Sequence, residues 1–298
     1  MLVGVHPMIY DHDGGSAAIG PRLREVVERI EASGAHSIWP MDHFFQIAPT
    51  RLPSSAAMLE GYAQLAWAAA FTTRLELGLL VTAVHHRHPG VLMKTITTLD
   101  VLSGGRAWLG LGAGWNEEES RGLGIPMPPL KLRFEQLEET LQIARQMFAG
   151  DDAPYAGAHY SLEHPMNSPL PVRRPPIMIG GSGERKTLRF VAMYADACNL
   201  FDSGDPAVLQ HKLDVLKRHC DDAGRSYDDI AVTVMTRLPP TSEETSAMLA
   251  RLDLVGVDLA LVASGPLTSD AVLDRLPELV AEAASLGRPA PAVLQGRN

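Results

Sequence analysis

Two cysteines in 298 residues, Cys198 and Cys220, are too few for a disulfide framework, and they lack a C-x-x-C spacing. No apolar run is long enough to cross a bilayer. The opening residues, MLVGVHP, have no basic n-region and no cleavage site, so a cytoplasmic protein is expected. Basic charge is scarce as well. The 26 Lys and Arg against 35 Asp and Glu give a formal charge of −9, which argues against a nucleic-acid surface. The clusters Arg173-Arg174 and Arg185-Lys186 are too small to overturn that. No break in composition marks a second domain, so residues 1–298 read as one unit.

What is present is a repeating alternation. Strand-like runs at Leu2–His6, Ser37–Asp42, Leu75–Thr82, Ala107–Gly114, Pro176–Gly180, Ala197–Phe201, Ile230–Thr236 and Leu259–Ala263 are each followed by a helix-like stretch. The helices are expected at Pro21–Ser33, Met58–Phe71, Pro89–Leu102, Leu130–Phe148, Glu184–Tyr194, Pro206–Ala223, Ser242–Leu254 and Ser269–Leu286. In the longest, Phe134, Leu137, Leu141, Ala144 and Phe148 recur at spacings of three and four and make one apolar stripe. This alternation predicts an α/β fold, a (β/α)8 TIM barrel with buried parallel strands. A doubly wound sheet is the alternative, weakened by the lack of a Rossmann turn. The Pro- and Gly-rich segment Gly150–Pro176 reads as an insertion between units four and five, with room for a short hairpin and a lid.

The segment GRAWLGLGAGWNEEESRGLGI, residues 105–125, is the most informative stretch. Gly110, Gly112 and Gly114 share one face of a strand and leave it bare, so a flat ring or another backbone can approach. Relief of crowding inside a barrel explains the same pattern, and both readings stay open. Asn116 is expected as the N-cap of a following helix, with Glu119 completing a capping-box-like pair. The order G-x-G-x-G and three glutamates in the first turn exclude a dinucleotide-phosphate loop here.

Active sites of such barrels lie at the C-terminal ends of the strands. That rule selects His6, then Asp42-His43 behind Trp39 and Met41, then Thr82, Gly112–Asn116 and the Ile179–Gly183 turn. His43 beside a carboxylate suits proton transfer, although the pair by itself is more simply a polar strand end satisfied by neighbouring backbone. Gly180, Gly181, Ser182 and Gly183 follow a buried run and open a helix. Successive amides there make a phosphate cradle, to which Arg185 or Lys186 adds charge. A tight turn that merely needs glycine is the alternative. His85-His86-Arg87-His88 invites a metal, but the sequence places no carboxylate nearby and no HExxH helix, so no metal is expected. That run is instead assigned to the pocket mouth or an anionic cofactor tail. Trp39 and Trp115 either stack on a ring or pack in the core.

Three stretches together resemble the luciferase-like monooxygenase superfamily, and more closely its deazaflavin-dependent branch. They are SIWPMDHFFQI (37–47), LELGLLVTAVHHRHPGVLMKTITTLDVLSGGRAWLGLGAGWNEEESRGLGIP (75–126) and PPIMIGGSGERKTLRFVAMYADACNL (175–200). The similarity runs over residues 1–237 and fades beyond Leu238. It implies a barrel holding a deazaflavin (coenzyme F420), or alternatively FMN, with the ring against the glycine-bare strand at Gly112, Ala113, Gly114, Trp115 and Asn116. The phosphate would sit on Gly180–Gly183. A cis-peptide bulge would fall near Leu79-Leu80, and Thr82 would touch the ring or its chain. His43 takes the place of the family's base and Asp42 lies by the cofactor, while His6 and Trp39 face the substrate. Related sugar-phosphate dehydrogenases carry Glu where this chain has Trp115, so that activity is not carried over.

The resulting expectation is an oxidoreductase passing a hydride between coenzyme F420 and a small organic substrate, working as a homodimer without nucleic acid or membrane. An FMN-dependent monooxygenase is the alternative. A metal-dependent barrel hydrolase and a non-catalytic flavin-binding protein stand behind it.

Overall fold

The computed structural model describes residues 1–263, 269–287 and 289–295. The strands are β1 (Leu2–His6), β2 (Ser37–Ile38), β3 (Glu76–Leu77), β4 (Thr82–Ala83), β5 (Leu109–Gly112), β6 (Tyr155–Ala156), β7 (Ser161–Leu162), β8 (Ile177–Gly180), β9 (Ala197–Phe201), β10 (Ala231–Arg237) and β11 (Leu259–Ala263). The helices are α1 (Ser16–Ala32), α2 (Gly61–Ala69), α3 (Pro89–Ser103), α4 (Glu117–Gly122), α5 (Leu130–Phe148), α6 (Thr187–Tyr194), α7 (Pro206–Ala223), α8 (Ser242–Leu254) and α9 (Ala271–Ser285).

Nine strands form one curled parallel sheet in the order β3-β2-β1-β11-β10-β9-β8-β5-β4. The strands at its two ends, β3 and β4, are pieces of a single expected run, Leu75–Thr82, interrupted at 78–81. Leu77 donates its N–H to Arg106 O at 2.8 Å, and Trp108 donates to Leu77 O at 2.8 Å. Each β–α connection returns the chain over the sheet, so the strands are parallel and apolar on both faces. Outside the sheet, Leu23, Val27, Ile96, Leu141, Val191 and Leu216 lie in the main core with strand residues such as Val3 and Val232. Trp39, Trp108, Met178, Ala231, Leu259 and Leu261 form a separate cluster.

Several expected boundaries move for identifiable reasons. The strand expected over Ser37–Asp42 ends at Ile38 because Pro40 has no N–H for a ladder, and its carbonyl instead accepts from Leu80 N–H at 2.9 Å. The helix expected from Met58 starts at Gly61, where the Glu60 carboxylate caps the amide of Ala63 at 2.6 Å. The helix expected from Glu184 starts at Thr187.

Segment 150–176 carries the hairpin β6–β7, antiparallel as its length allows. None of its residues lines the cavity described below. It is tied instead to α3 and α5. Glu139 accepts from the amides of Ala158, His159 and Tyr160, buried Asn167 donates to Thr97 Oγ1 and Met147 O, and Asp100 accepts from the amides of Val172 and Arg173.

Candidate active site

A cavity of about 400 Å³ opens at the C-terminal ends of the strands. One wall is backbone: Leu80 and Val81, Gly112, Ala113 and Gly114, then Gly180 and Gly181. The Leu80–Val81 peptide bond is cis, one residue on from the expected Leu79-Leu80. The bare face of β5 is taken by this segment. A Cβ on Gly110 would lie 1.9 Å from the Leu79 carbonyl oxygen, and one on Gly112 would lie 2.8 Å from a Val81 methyl. Of the two readings of the glycine pattern, close approach by another backbone accounts for Gly110, while Gly112 also borders the cavity.

The opposite wall holds the polar groups. Asp42 and His43 leave the irregular chain after β2, and both line the cavity. The Asp42 carboxylate is fully buried and takes two hydrogen bonds from the Arg87 guanidinium, at 2.6 and 2.9 Å. His86 Nδ1 stands 3.5 Å from the same carboxylate. Burial alone would raise the Asp42 carboxyl, but the His86 ring, followed by the bonds and charge of Arg87, outweighs it and holds it at about 2. Arg87 also reaches Glu60 and lies over the Tyr62 ring, 4.7 Å from its centroid. The Arg87 guanidinium is thus engaged by protein carboxylates, while His86 of the same 85–88 run lines the cavity.

Glu119 is the residue that sequence reasoning misplaced. Asn116 caps α4 as expected, through Glu118 N–H at 3.1 Å, but Glu119 does not complete a capping box. Its side chain turns inward, 1% exposed, and accepts from His43 Nδ1 at 2.7 Å and from Phe44 N–H at 2.8 Å. Burial opposes ionisation of Glu119, yet the bond from His43 and the backbone amide keep its carboxyl below the usual range. The signal was available in principle. Helical spacing puts Glu119 and Ser120 on the buried side of α4, whereas Glu117 and Glu118 face solvent. His86 stands between the two carboxylates, its Nε2 3.8 Å from Glu119. The premise that no carboxylate lies near the histidine run thus fails in space. Among the described residues, however, no three His, Cys, Asp or Glu side chains converge at metal-ligand spacing.

His6 lies at the end of β1, with Nδ1 2.5 Å from Trp39 O, and burial pushes its ring down to about 4 despite that bond. It is held neutral at physiological pH. Trp115 stands half out of the mouth and meets the His43 ring edge-on at 5.4 Å. Trp39 is not at the cavity. Its ring is fully buried against Trp108, 5.6 Å between centroids, with Nε1 donating to Ser37 Oγ at 2.8 Å. Leu79 and Thr82 lie behind the lining, the Thr82 hydroxyl bonded to Tyr62 Oη at 2.6 Å.

At the glycine turn, the Gly181 amide is already used by the sheet, donating to Asn199 O at 3.1 Å. Among the described residues, the amides of Ser182 and Gly183 take no protein acceptor. Thr187, the first residue of α6, adds a hydroxyl to the lining that the sequence reading missed. The Lys186 ammonium sits over the Phe134 ring at 5.2 Å.

The sequence model of the luciferase-like monooxygenase family matches residues 8–291. The chain belongs to that family. Among curated relatives of this luciferase-like chain, a Microbacterium testaceum protein named F420-dependent glucose-6-phosphate dehydrogenase is 30% identical over 233 residues, 75% of this chain and 66% of its own length. A protein of the same name from Kineococcus radiotolerans is 26% identical over 266 residues, 86% of this chain and 76% of its own. A solved F420-dependent secondary alcohol dehydrogenase, in complex with an F420-acetone adduct, superposes with a TM-score of 0.82 at 15% identity, over 95% of this chain and 98% of that one. A riboflavin lyase gives 0.77 at 12%, over 98% and 94%. At these identities the solved structures speak for the fold.

Proposed function

We propose that this chain is an oxidoreductase that passes a hydride between coenzyme F420 and a small organic substrate. The observation that carries the reading is a flat backbone wall opposite a carboxylate-held histidine within one cavity. The residues present suit a tricyclic ring. Beside the branched side chains of Leu80 and Val81, that wall is made of Gly112, Ala113 and Gly114, which present nothing beyond Cβ. Ser182 and Gly183 amides, with the Thr187 hydroxyl, offer donors for a phosphate at the start of α6. The cofactor, when bound, supplies the carbon that accepts or releases the hydride.

The chain's own residues do the rest. His43 donates from Nδ1 to Glu119, which fixes that tautomer and leaves Nε2 as the atom that exchanges a proton with the substrate heteroatom. Glu119 steadies the imidazolium when it forms. Asp42, already paired with Arg87, keeps the neighbouring backbone and His86 in place rather than taking the proton. In the oxidising direction a substrate C–H bond yields its electron pair as hydride, the X–H proton moves to His43, and a C=X bond forms. The reading includes a closed eight-unit barrel with segment 150–176 as its insertion, in a cytoplasmic homodimer.

Fluorescence titration of the purified chain with coenzyme F420 and with FMN tests the cofactor. F420 should bind more tightly, and equal or tighter FMN binding overturns the reading. His43→Ala should then lower turnover by about 10²–10⁴ while F420 affinity changes little.

A further inference from the structure

We infer that the substrate is a neutral, largely apolar molecule, such as a secondary alcohol or its ketone, and not a sugar phosphate. This rests on the hydride-transfer reading above. No lysine or arginine lines the cavity among the described residues. The full charges that do line it are the carboxylates of Asp42 and Glu119, beside His6, which burial keeps neutral. The two nearby guanidinium groups are spent elsewhere. Arg87 is locked on Asp42 and Glu60, and Arg133 donates to Ala113 O and Pro128 O behind the wall. A dianionic phosphate at the substrate end would meet no counter-charge and would be desolvated beside two carboxylates.

Beyond those polar groups, Met8, Met41, Ile47, Pro49, Phe201 and Met235 line the cavity. Two of these are fully or nearly buried, Met41 at 2% and Ile47 at 7% exposure, so they form a fixed wall. Phe201 ends β9 at 56% exposure and borders the cavity, where a bound substrate would cover it. Such a lining rewards apolar area and carries no fork for a phosphate. His43 addresses the single heteroatom that the reaction needs. In the oxidising direction an alcohol loses its carbinol hydrogen as hydride to F420 and its hydroxyl proton to His43, leaving a ketone; reduction reverses both transfers.

The test begins with F420 binding, which fails only if the cofactor reading fails. With cofactor bound, kcat/KM is compared for glucose 6-phosphate and for a series of secondary alcohols of increasing chain length, such as 2-propanol, 2-butanol and cyclohexanol. Calorimetry with cyclohexanone and with glucose 6-phosphate on the cofactor-loaded protein reads binding independently of turnover. The inference expects alcohols to be oxidised with kcat/KM rising along the series, and the phosphate to bind weakly or not at all. Phe201→Lys, at an exposed position that leaves the fold intact, should lower kcat/KM for cyclohexanol about tenfold. Preferred turnover or tighter binding of glucose 6-phosphate overturns it, as does a flat response along the alcohol series.

Discussion

The two sides of the sheet are built differently. β9, β10 and β11 run five to seven residues with unbroken register, Ala231–Met235 against Ala197–Phe201 and Thr233–Arg237 against Leu259–Ala263. β2, β3 and β4 are two residues each, and the chain between them leaves the ladder. On that irregular side lie Asp42, His43, His86, Arg87 and Glu119, a cluster of charged and titratable groups at or near the cavity. The regular side places paired carboxylates nearer the rim, as in Asp202 with Arg251. The difference teaches where the fold spends its regularity. A strand that keeps every ladder bond cannot turn its backbone toward a ligand, and the irregular stretch gains that freedom by losing pairing.

The sharpest way to break this comparison is to fill the gap between the irregular segment and β5. Gly110→Val places a branched side chain where a single Cβ already lies 1.9 Å from the Leu79 carbonyl oxygen. The loss should be at least about 3 kcal/mol, read from urea midpoints, together with loss of cofactor binding. Gly224→Ala on the regular side meets open space and suffers only from its φ of +64°, so about 1 kcal/mol is expected. Similar losses for the two would show that the β5 contact can relax.

Next in size is Arg87→Met, which strands Asp42 without its partner. Breaking a buried pair from one side costs about 3–5 kcal/mol, and the Asp42 carboxyl should rise from about 2 as the Arg87 charge disappears. Arg251→Met leaves Asp202 at a wetter site, with the arginine side chain 22% exposed, and about 1–2 kcal/mol is expected. If both variants lose the same stability, the contrast between the two sides is wrong.

The smallest effect per step is the response to acid. Burial pushes His6 and His36 down to about 4, below the ordinary value near 6.5. Both lie on the irregular side. Between those pH values the unfolded chain binds protons that the folded chain refuses, so stability present above pH 6.5 is lost as pH falls toward 4. Each histidine contributes roughly 1.4 kcal/mol per pH unit within that window. Urea unfolding at pH 6.5, 5.5 and 4.5 should show this slope, and His36→Gln should reduce it by one proton. An unchanged slope in that variant would assign the acid response to other groups.

Much of the fold was legible because burial leaves a periodic trace. Strand runs of apolar residues and the three-and-four spacing in α5 located most elements to within a few residues. Gly112, Gly114, Gly180 and Gly181 marked one wall of the cavity, since a missing side chain is written directly in the sequence. Glu119 was misread because a glutamate three residues after Asn116 fits a local cap, and local chemistry cannot show that its side chain turns 76 positions back to His43. Trp39 was misplaced for a related reason: a tryptophan near a strand end can face the rim or the interior, and here it is buried against Trp108.

By itself, then, the sequence determined the alternation of strands and helices, the bare strand, and the placing of Asp42-His43 just beyond a strand. Those features depend on neighbours within one turn or one strand, where residue order and geometry coincide. Only the tertiary structure decided which groups those residues meet. Arg87 reaches Asp42 across 45 positions, and Leu79 fills the space above Gly110, because the sheet curls and brings β2, β4 and β5 together. Pairings of that kind are set by how the strands close around one another, which no local spacing encodes.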